Sequence, residues 1–126
     1  MLQGFDEHTE ELSEYEHSLV PIFVRGLQTK QGKSKAITNE QMCEAMRKAS
    51  HNVNPARVRK IINYIRNNGL IAGLIASSSG YYVTNDVKEL KDYIDSLNGR
   101  INAIKRVKNK FEEYHRTLET KNLRLF

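Results

Sequence analysis

The stretch VRKIINYIRNNGLIAGLIASSSGYYVT, residues 58–84, combines a helical pattern, a helix end and two strand-like segments in one continuous piece. Gly69 stands where a left-handed residue commonly ends a helix, and segments 70–77 and 81–84 read as strands joined by small polar residues. The helical half carries four apolar residues at the spacing of one helix face: Val58, Ile61, Ile62 and Ile65. The stretch therefore predicts a helix and a β-hairpin that contribute to one core.

The residues just before this stretch predict a second helix and a short strand. Asn54 and Pro55 are typical of a cap and a first helical position, so the helix of the opening stretch is expected over 55–68. Thr38 and Gln41 form a capping-box pattern, which predicts another helix over 39–49. Residues 36–37 are expected to form one short strand ahead of it.

The N-terminal part of the chain predicts an amphipathic helix from about Thr9 to Leu27, because its apolar residues recur at steps of three and four. Pro21 interrupts this pattern. Proline removes a backbone donor and clashes with the preceding turn, so we expect either a kink there or a second helix capped by Ser18. Residues 26–35, GLQTKQGKSK, predict a basic polar loop.

From Asp86 onward the side chains follow a seven-residue repeat, which is typical of a coiled coil. Gly99 falls at an outer position of the repeat, so we favour one continuous helix over a turn that splits it at Asn98 and Gly99. Two seam positions are polar, Lys108 and His115. The full seam comprises Val87, Leu90, Ile94, Leu97, Ile101, Ile104, Lys108, Phe111, His115 and Leu118.

This apolar seam needs a partner helix, and we expect a second copy of the chain. The alternative is that the long helix folds back on the acidic first helix. The expected domains are residues 1–85, a dimerisation helix over 86–118 and a tail over 119–126. The dimer interface is expected to centre on Leu90, Ile94, Leu97, Ile101, Ile104 and Phe111.

Length and composition indicate a globular protein with one domain plus an appended helix. The chain has 126 residues, 39% of them hydrophobic and 28% charged, with a single cysteine, Cys43. One cysteine excludes an internal disulfide and agrees with a reducing compartment. The N-terminus is acidic, unlike a signal peptide, and no apolar run is long enough to cross a bilayer. We therefore expect a cytoplasmic protein with no membrane partner.

The charge is distributed unevenly along the chain. Residues 1–24 carry six acids and no Lys or Arg, whereas residues 25–85 carry ten bases and only two acids. A basic block beside an acidic one is typical of proteins that bind polyanions. The plain alternative is a solvated charged surface.

The order of helix, short strand, helix, turn, helix and hairpin is that of a winged helix-turn-helix domain. The pieces AITNEQMCEAM, NPARVRKIINYIRNNGLIAG and SSSGYYVT, followed by a long helix, resemble the small winged helix-turn-helix DNA-binding proteins of bacteriophages and mobile elements. The resemblance covers roughly residues 10–110. It implies that the helix over 55–68 enters the major groove of DNA and that the hairpin, as a wing, lies over the adjacent backbone. The expected fold class is therefore mainly α, a winged helix-turn-helix with a small hairpin wing and a long coiled-coil-like C-terminal helix.

A helical wheel places the polar residues of the helix over 55–68 opposite its apolar face. No acidic residue occurs between Glu44 and Asp86. Arginine can pair with guanine and asparagine with adenine, so this face is our candidate for sequence-specific contact with double-stranded DNA. The rival function is an adaptor whose basic surface meets an acidic protein. The candidate DNA-binding residues, with the hairpin tip, are Asn54, Ala56, Arg57, Arg59, Lys60, Asn63, Tyr64, Asn67, Ser77, Ser78 and Ser79.

The sequence gives little support for catalysis, a cofactor, a metal or a small-molecule ligand. The four histidines are scattered, and one cysteine cannot build a thiolate site. Gly32, Lys33 and Ser34 resemble the end of a phosphate-binding P-loop, but the spacing back to Gly26 is one residue too long and a helix precedes the loop. We therefore expect neither nucleotide hydrolysis nor another enzymatic activity.

Overall fold

The computed structural model describes residues 11–124 of the chain, which are mainly helical with one two-stranded antiparallel hairpin. The chain divides into two compact units between Asp86 and Val87. The described part of the first unit contains three α-helices, a short 3₁₀ turn and the hairpin, and the described part of the second is one long helix. The elements are α1 (Glu14–Gln28), α2 (Asn39–Lys48), α3 (Pro55–Asn67), β1 (Leu74–Ser77), β2 (Gly80–Val83) and α4 (Val87–Arg124).

The caps that the sequence predicts for α2 and α3 are confirmed. Thr38 and Gln41 form a complete capping box at α2. The side chain of Asn54 accepts a hydrogen bond from the backbone N–H of Arg57, and Pro55 occupies the first helical turn of α3. Gly69 has a φ of +61°, so it takes the left-handed conformation expected beyond the end of α3.

The prediction for α1 needs correction at both ends and near Pro21. Its predicted start near Thr9 lies outside the described residues, and the described helix begins only at Glu14, where Ser13 and Glu16 form a capping box. The helix continues through Pro21, and Ser18 does not cap a second helix, because its hydroxyl donates to the carbonyl of Tyr15. The helix end also lies later than predicted, so the basic loop begins after Gln28.

The hairpin is shorter than its sequence pattern suggests. Ser77 pairs with Gly80, and only Ser78 and Ser79 connect the strands. Residues 70–73 form a turn instead of extending β1, and Gly73 (φ +76°) comes so close to the carbonyl of Thr84 that a Cβ there would lie 2.1 Å from its oxygen. The predicted strand at residues 36–37 is reduced to one bridge, between Ile37 and Tyr81.

The core of the first unit lies mainly between α1 and α3. The apolar face of α3 is buried as predicted: each of its four residues is at most 1% exposed. The largest fully buried side chains are Phe23, Leu19 and Leu27 from α1, and Ile61, Ile62, Ile65 and Val58 from α3. The packing of these two helices against each other determines which face of α3 remains open.

The long helix α4 runs without interruption through Asn98 and Gly99, as the heptad pattern predicts. It continues to Arg124, through residues that the sequence pattern assigned to a tail. Several seam residues are exposed, among them Ile94 at 52%, Ile101 at 48% and Phe111 at 70%. Among the described helices, none combines the length and apolar character needed to cross a membrane.

Replacing Gly80 by Ala should destabilise the first unit by about 2 to 4 kcal/mol. Its φ is +117°, and a Cβ there would lie 2.5 Å from the carbonyl oxygen of Ile37, so both strain and a backbone clash oppose the change. The matched control is Gly69→Ala, which also has a positive φ but no atom within 4 Å of the new Cβ. We expect it to cost only about 1 to 2 kcal/mol. Urea unfolding measures both, and equal losses would contradict a close contact at Gly80.

Candidate nucleic-acid interface

The polar side of α3 is the candidate interface, and α1 covers part of it. Residues Ala56 and Asn67 are exposed, and Asn63 is half-buried. Arg57 and Lys60, which the sequence pattern places on or beside the open face, are instead directed at a carboxylate of α1. The structure therefore separates the candidate residues into two groups.

Glu16 is the carboxylate that binds both bases, and it is only 4% exposed. Lys60 Nζ lies 2.9 Å from its Oε1, and Arg57 Nε lies 3.1 Å from its Oε2. The backbone N–H of Ser13 also donates to Oε1 at 2.8 Å. Burying a carboxylate is costly unless it is paired and hydrogen-bonded, and here each oxygen has at least one donor.

The surroundings of Glu16 keep it ionised. Burial alone would raise its pKa, but the hydrogen bond from Ser13, the charge and hydrogen bond of Lys60 and the hydrogen bond of Arg57 together lower the pKa to about 2. Glu16 is thus an anion at neutral pH and offsets one of the two positive charges that it contacts. Arg57 and Lys60 consequently contribute less to the outer potential of α3 than the sequence suggests.

Further contacts hold the same flank of α3 against α1 and against the turn that precedes α3. The guanidinium of Arg57 donates to the carbonyl of Asn52 at 2.8 Å and lies 5.4 Å from the ring centroid of Tyr15. Tyr64 packs edge-on against His17, with the ring centroids 5.2 Å apart, and joins the core. Tyr64 is therefore placed to support the fold.

The other flank of α3 carries Arg59 and Arg66, both half-buried. Arg59 lies near α2: burial raises the pKa of the Cys43 thiol there, while the charges of Arg47 and Arg59 act to lower it. No Asp or Glu occurs on this flank of α3. We call the residues on this flank and the open side of α3 the outer stripe, which consists of Ala56, Arg59, Asn63, Arg66 and Asn67.

Four further candidate residues, outside the outer stripe, are used in local structure or lie at the hairpin tip. Asn54 caps α3 with its side-chain oxygen. The hydroxyl of Ser77 donates to the carbonyl of Gly80 at 3.0 Å and accepts from the N–H of Ser79 at 3.2 Å. Ser78 and Ser79 are exposed at the tip. The tip thus offers backbone and hydroxyl groups but no positive charge.

The sequence analysis did not identify Glu16, whose carboxylate binds two of the candidate DNA-binding residues of α3. The spacing of Ser13 and Glu16 matches a capping box, so the sequence contained the signal that would have placed its carboxylate at the start of a helix. Nothing local shows that this carboxylate reaches bases 41 and 44 residues further along the chain. Among the described residues, no group of three His, Cys, Asp or Glu side chains is arranged to hold a metal ion.

Replacing Glu16 by Gln should destabilise the first unit by about 3 kcal/mol at pH 7, because Arg57 and Lys60 lose their counter-charge. The pKa of Glu16 lies below its ordinary value of 4.5, so the unfolded chain takes up the proton first as the pH falls. The stabilisation is then complete above pH 4.5 and disappears between 4.5 and about 2.

Urea unfolding from pH 7 down to pH 2 measures this difference between parent and variant. Glu14→Gln is the matched control, since Glu14 is exposed in the same turn of α1, and we expect it to change stability by less than about 0.5 kcal/mol. A Glu16 variant as stable as the Glu14 variant at pH 7 would show that the ion pairs contribute nothing.

Comparison of the chain with protein-family models, with curated proteins and with solved structures finds no match.

Proposed function

We propose that the first unit is a winged helix-turn-helix domain that binds double-stranded DNA sequence-specifically, with α3 in the major groove. The observation that carries this proposal is the composition of the outer stripe, which contains two guanidinium and two amide side chains and no carboxylate. These are the groups that read base edges, because arginine pairs with guanine and asparagine with adenine. An exposed surface without a binding role would be expected to carry both positively and negatively charged side chains.

The connection between α2 and α3 supports the same proposal. Asn39 Nδ2 donates to the carbonyl of Pro55 at 3.1 Å, and Arg47 Nε donates to the carbonyl of Val53 at 3.1 Å. These bonds hold the turn between the two helices in place. A helix that enters a DNA groove needs such a fixed orientation, because its orientation determines which bases it contacts. The hairpin that follows α3 stands where a wing is expected in such a domain.

The contacts of α1 refine which residues of α3 we propose to touch DNA. Arg59, Asn63 and Asn67 lie on the outer stripe and are our choice for base and backbone contact. Arg57 and Lys60 are bound by Glu16, so we propose that they orient α3 and do not read bases. This division differs from the sequence prediction, in which all five residues contact DNA.

We also propose that α4 joins two copies of the chain as a homodimer. In heptad terms Val87, Ile94 and Ile101 occupy one core position, and Leu90 and Leu97 occupy the other, where Ile104 departs from leucine. β-Branched residues at the first and leucine at the second favour two-stranded coiled coils. A dimer also suits DNA recognition, because two domains read two half-sites.

Replacing Asn63 by Ala should weaken binding to a preferred DNA site by about 1 to 3 kcal/mol and leave binding to random DNA nearly unchanged. The preferred site is first selected from a random-sequence duplex library, and affinities are then measured by fluorescence anisotropy. Asn102→Ala, at an exposed position of α4, is the matched control. If the parent selects no sequence, or if a doubly substituted Arg59→Ala, Asn63→Ala chain still binds like the parent, α3 is not the reading helix and the adaptor function becomes the better explanation.

The double substitution Ile94→Lys, Ile101→Lys should convert a dimer into a monomer of 14.6 kDa, because it places charges in the seam where two helices would meet. Multi-angle light scattering measures the mass at micromolar concentration. Asn102→Lys adds charge at an outer heptad position and should leave the dimer intact. A parent chain that is already monomeric at this concentration would contradict the homodimer.

A further inference from the structure

The loop between α1 and α2 is the most basic of the described loops in the first unit. It carries Lys30, Lys33 and Lys35, and no acid occurs between Glu16 and Glu40. The loop is not part of the proposed reading helix α3. The Gly-Lys-Ser sequence of the loop does not fit a nucleotide-hydrolysing P-loop. The concentration of charge therefore requires its own explanation.

Backbone hydrogen bonds hold both ends of this loop against β2. At one end, the N–H of Gly32 donates to the carbonyl of Val83 at 2.9 Å, and the N–H of Val83 donates to that of Lys30 at 2.8 Å. At the other end, Ile37 and Tyr81 exchange two such bonds, of 3.0 and 2.8 Å. The loop is thus fixed to the hairpin at two points.

Between these points the chain forms a 3₁₀ turn, Lys33–Lys35, and its side chains are exposed. The close approach of Gly80 to the carbonyl of Ile37 fixes the position of the second attachment. The lysine side chains therefore project from a backbone whose ends are held in place, which reduces the entropy lost when a ligand binds.

The loop and the start of α2 line one open groove of about 450 Å³. Its polar side chains are Lys30, Ser34, Lys35 and Gln41. The Oε1 atom of Gln41 already accepts a hydrogen bond from the N–H of Thr38 at 2.9 Å, so its Nε2 amide is the group left for a ligand. The groove therefore offers positive charge and hydrogen-bond donors.

The lysines of the groove differ from the helix lysines of the first unit in their ion pairs. Lys48 lies 3.4 Å from a carboxylate oxygen of Glu44, and Lys60 lies 2.9 Å from one of Glu16. No ion pair with a carboxylate within 4.0 Å is found for Lys30 or Lys35 among residues 11–124. Their charge is not neutralised by a described neighbour.

We propose that this groove binds backbone phosphates of the nucleic acid, as a second contact separate from the outer stripe. The inference rests on the proposed DNA-binding function and names a further site for it. Lysine acts on phosphate as a point charge, and a serine hydroxyl and an amide add hydrogen bonds. Such contacts carry no sequence information, so the groove contributes affinity for any duplex, and attachment to β2 couples its position to that of the hairpin.

The test compares Lys30→Gln, Lys35→Gln with the control Lys88→Gln, Lys91→Gln, which removes the same charge from α4. Lys88 and Lys91 are exposed and pair with Asp92 and Asp95, at 2.9 and 2.6 Å. Binding to a random-sequence duplex and to the selected site is followed by anisotropy over a series of salt concentrations. Circular dichroism verifies that both variants remain folded.

Two lost phosphate contacts should flatten the slope of log affinity against log salt by about 2 per protomer, equally on both duplexes. The control should keep the slope of the parent. If the groove variant keeps the parent's slope and affinity, the groove is not a phosphate site, while DNA binding itself stands. If the parent binds no duplex even at low salt, both the groove and the proposed function are overturned.

Discussion

The carboxylate of Glu16 is the group on which the arrangement of the first unit depends. It is almost completely buried between α1 and α3, and it accepts hydrogen bonds from Lys60, Arg57 and the backbone of Ser13. A buried charge is tolerated only with partners in good geometry, so the helices have little freedom to slide or rotate relative to each other. The apolar core that α1 and α3 share supplies attraction, but the ion pairs specify the orientation.

This constraint also determines how the positive charge of the first unit is distributed. Two of the bases on α3 are turned toward α1, while Arg59 and Arg66 stay on the opposite flank. The lysines of the α1–α2 loop form a separate positive region beside the hairpin. The sequence presents these bases as one block, whereas the structure divides them into an internal pair, a helix flank and a groove.

The sequence predicted the features that depend on neighbouring residues. The caps at Thr38 and Asn54 and the left-handed Gly69 follow from local hydrogen bonding, and the buried face of α3 and the continuity of α4 follow from periodicity. The predictions were wrong where contacts between residues distant in the sequence determine the conformation or the partner of a side chain. Residues 70–73 look like strand, but the close approach of Gly73 to Thr84 makes them a turn. Likewise, a helical wheel cannot show that Lys60 meets Glu16, because that contact joins residues 44 positions apart.

The attachment of the α1–α2 loop to the hairpin has a consequence for self-association. β2 is hydrogen-bonded to β1 on one edge and to residues 30–37 on the other, so its backbone groups are largely occupied. The other edge of the two-stranded sheet is that of β1, a strand of only four residues. Very short edge strands are one of the means by which β-sheet proteins limit edge-to-edge aggregation. By pairing with one edge of β2, the loop therefore limits association of the hairpin with strands of other copies of the chain.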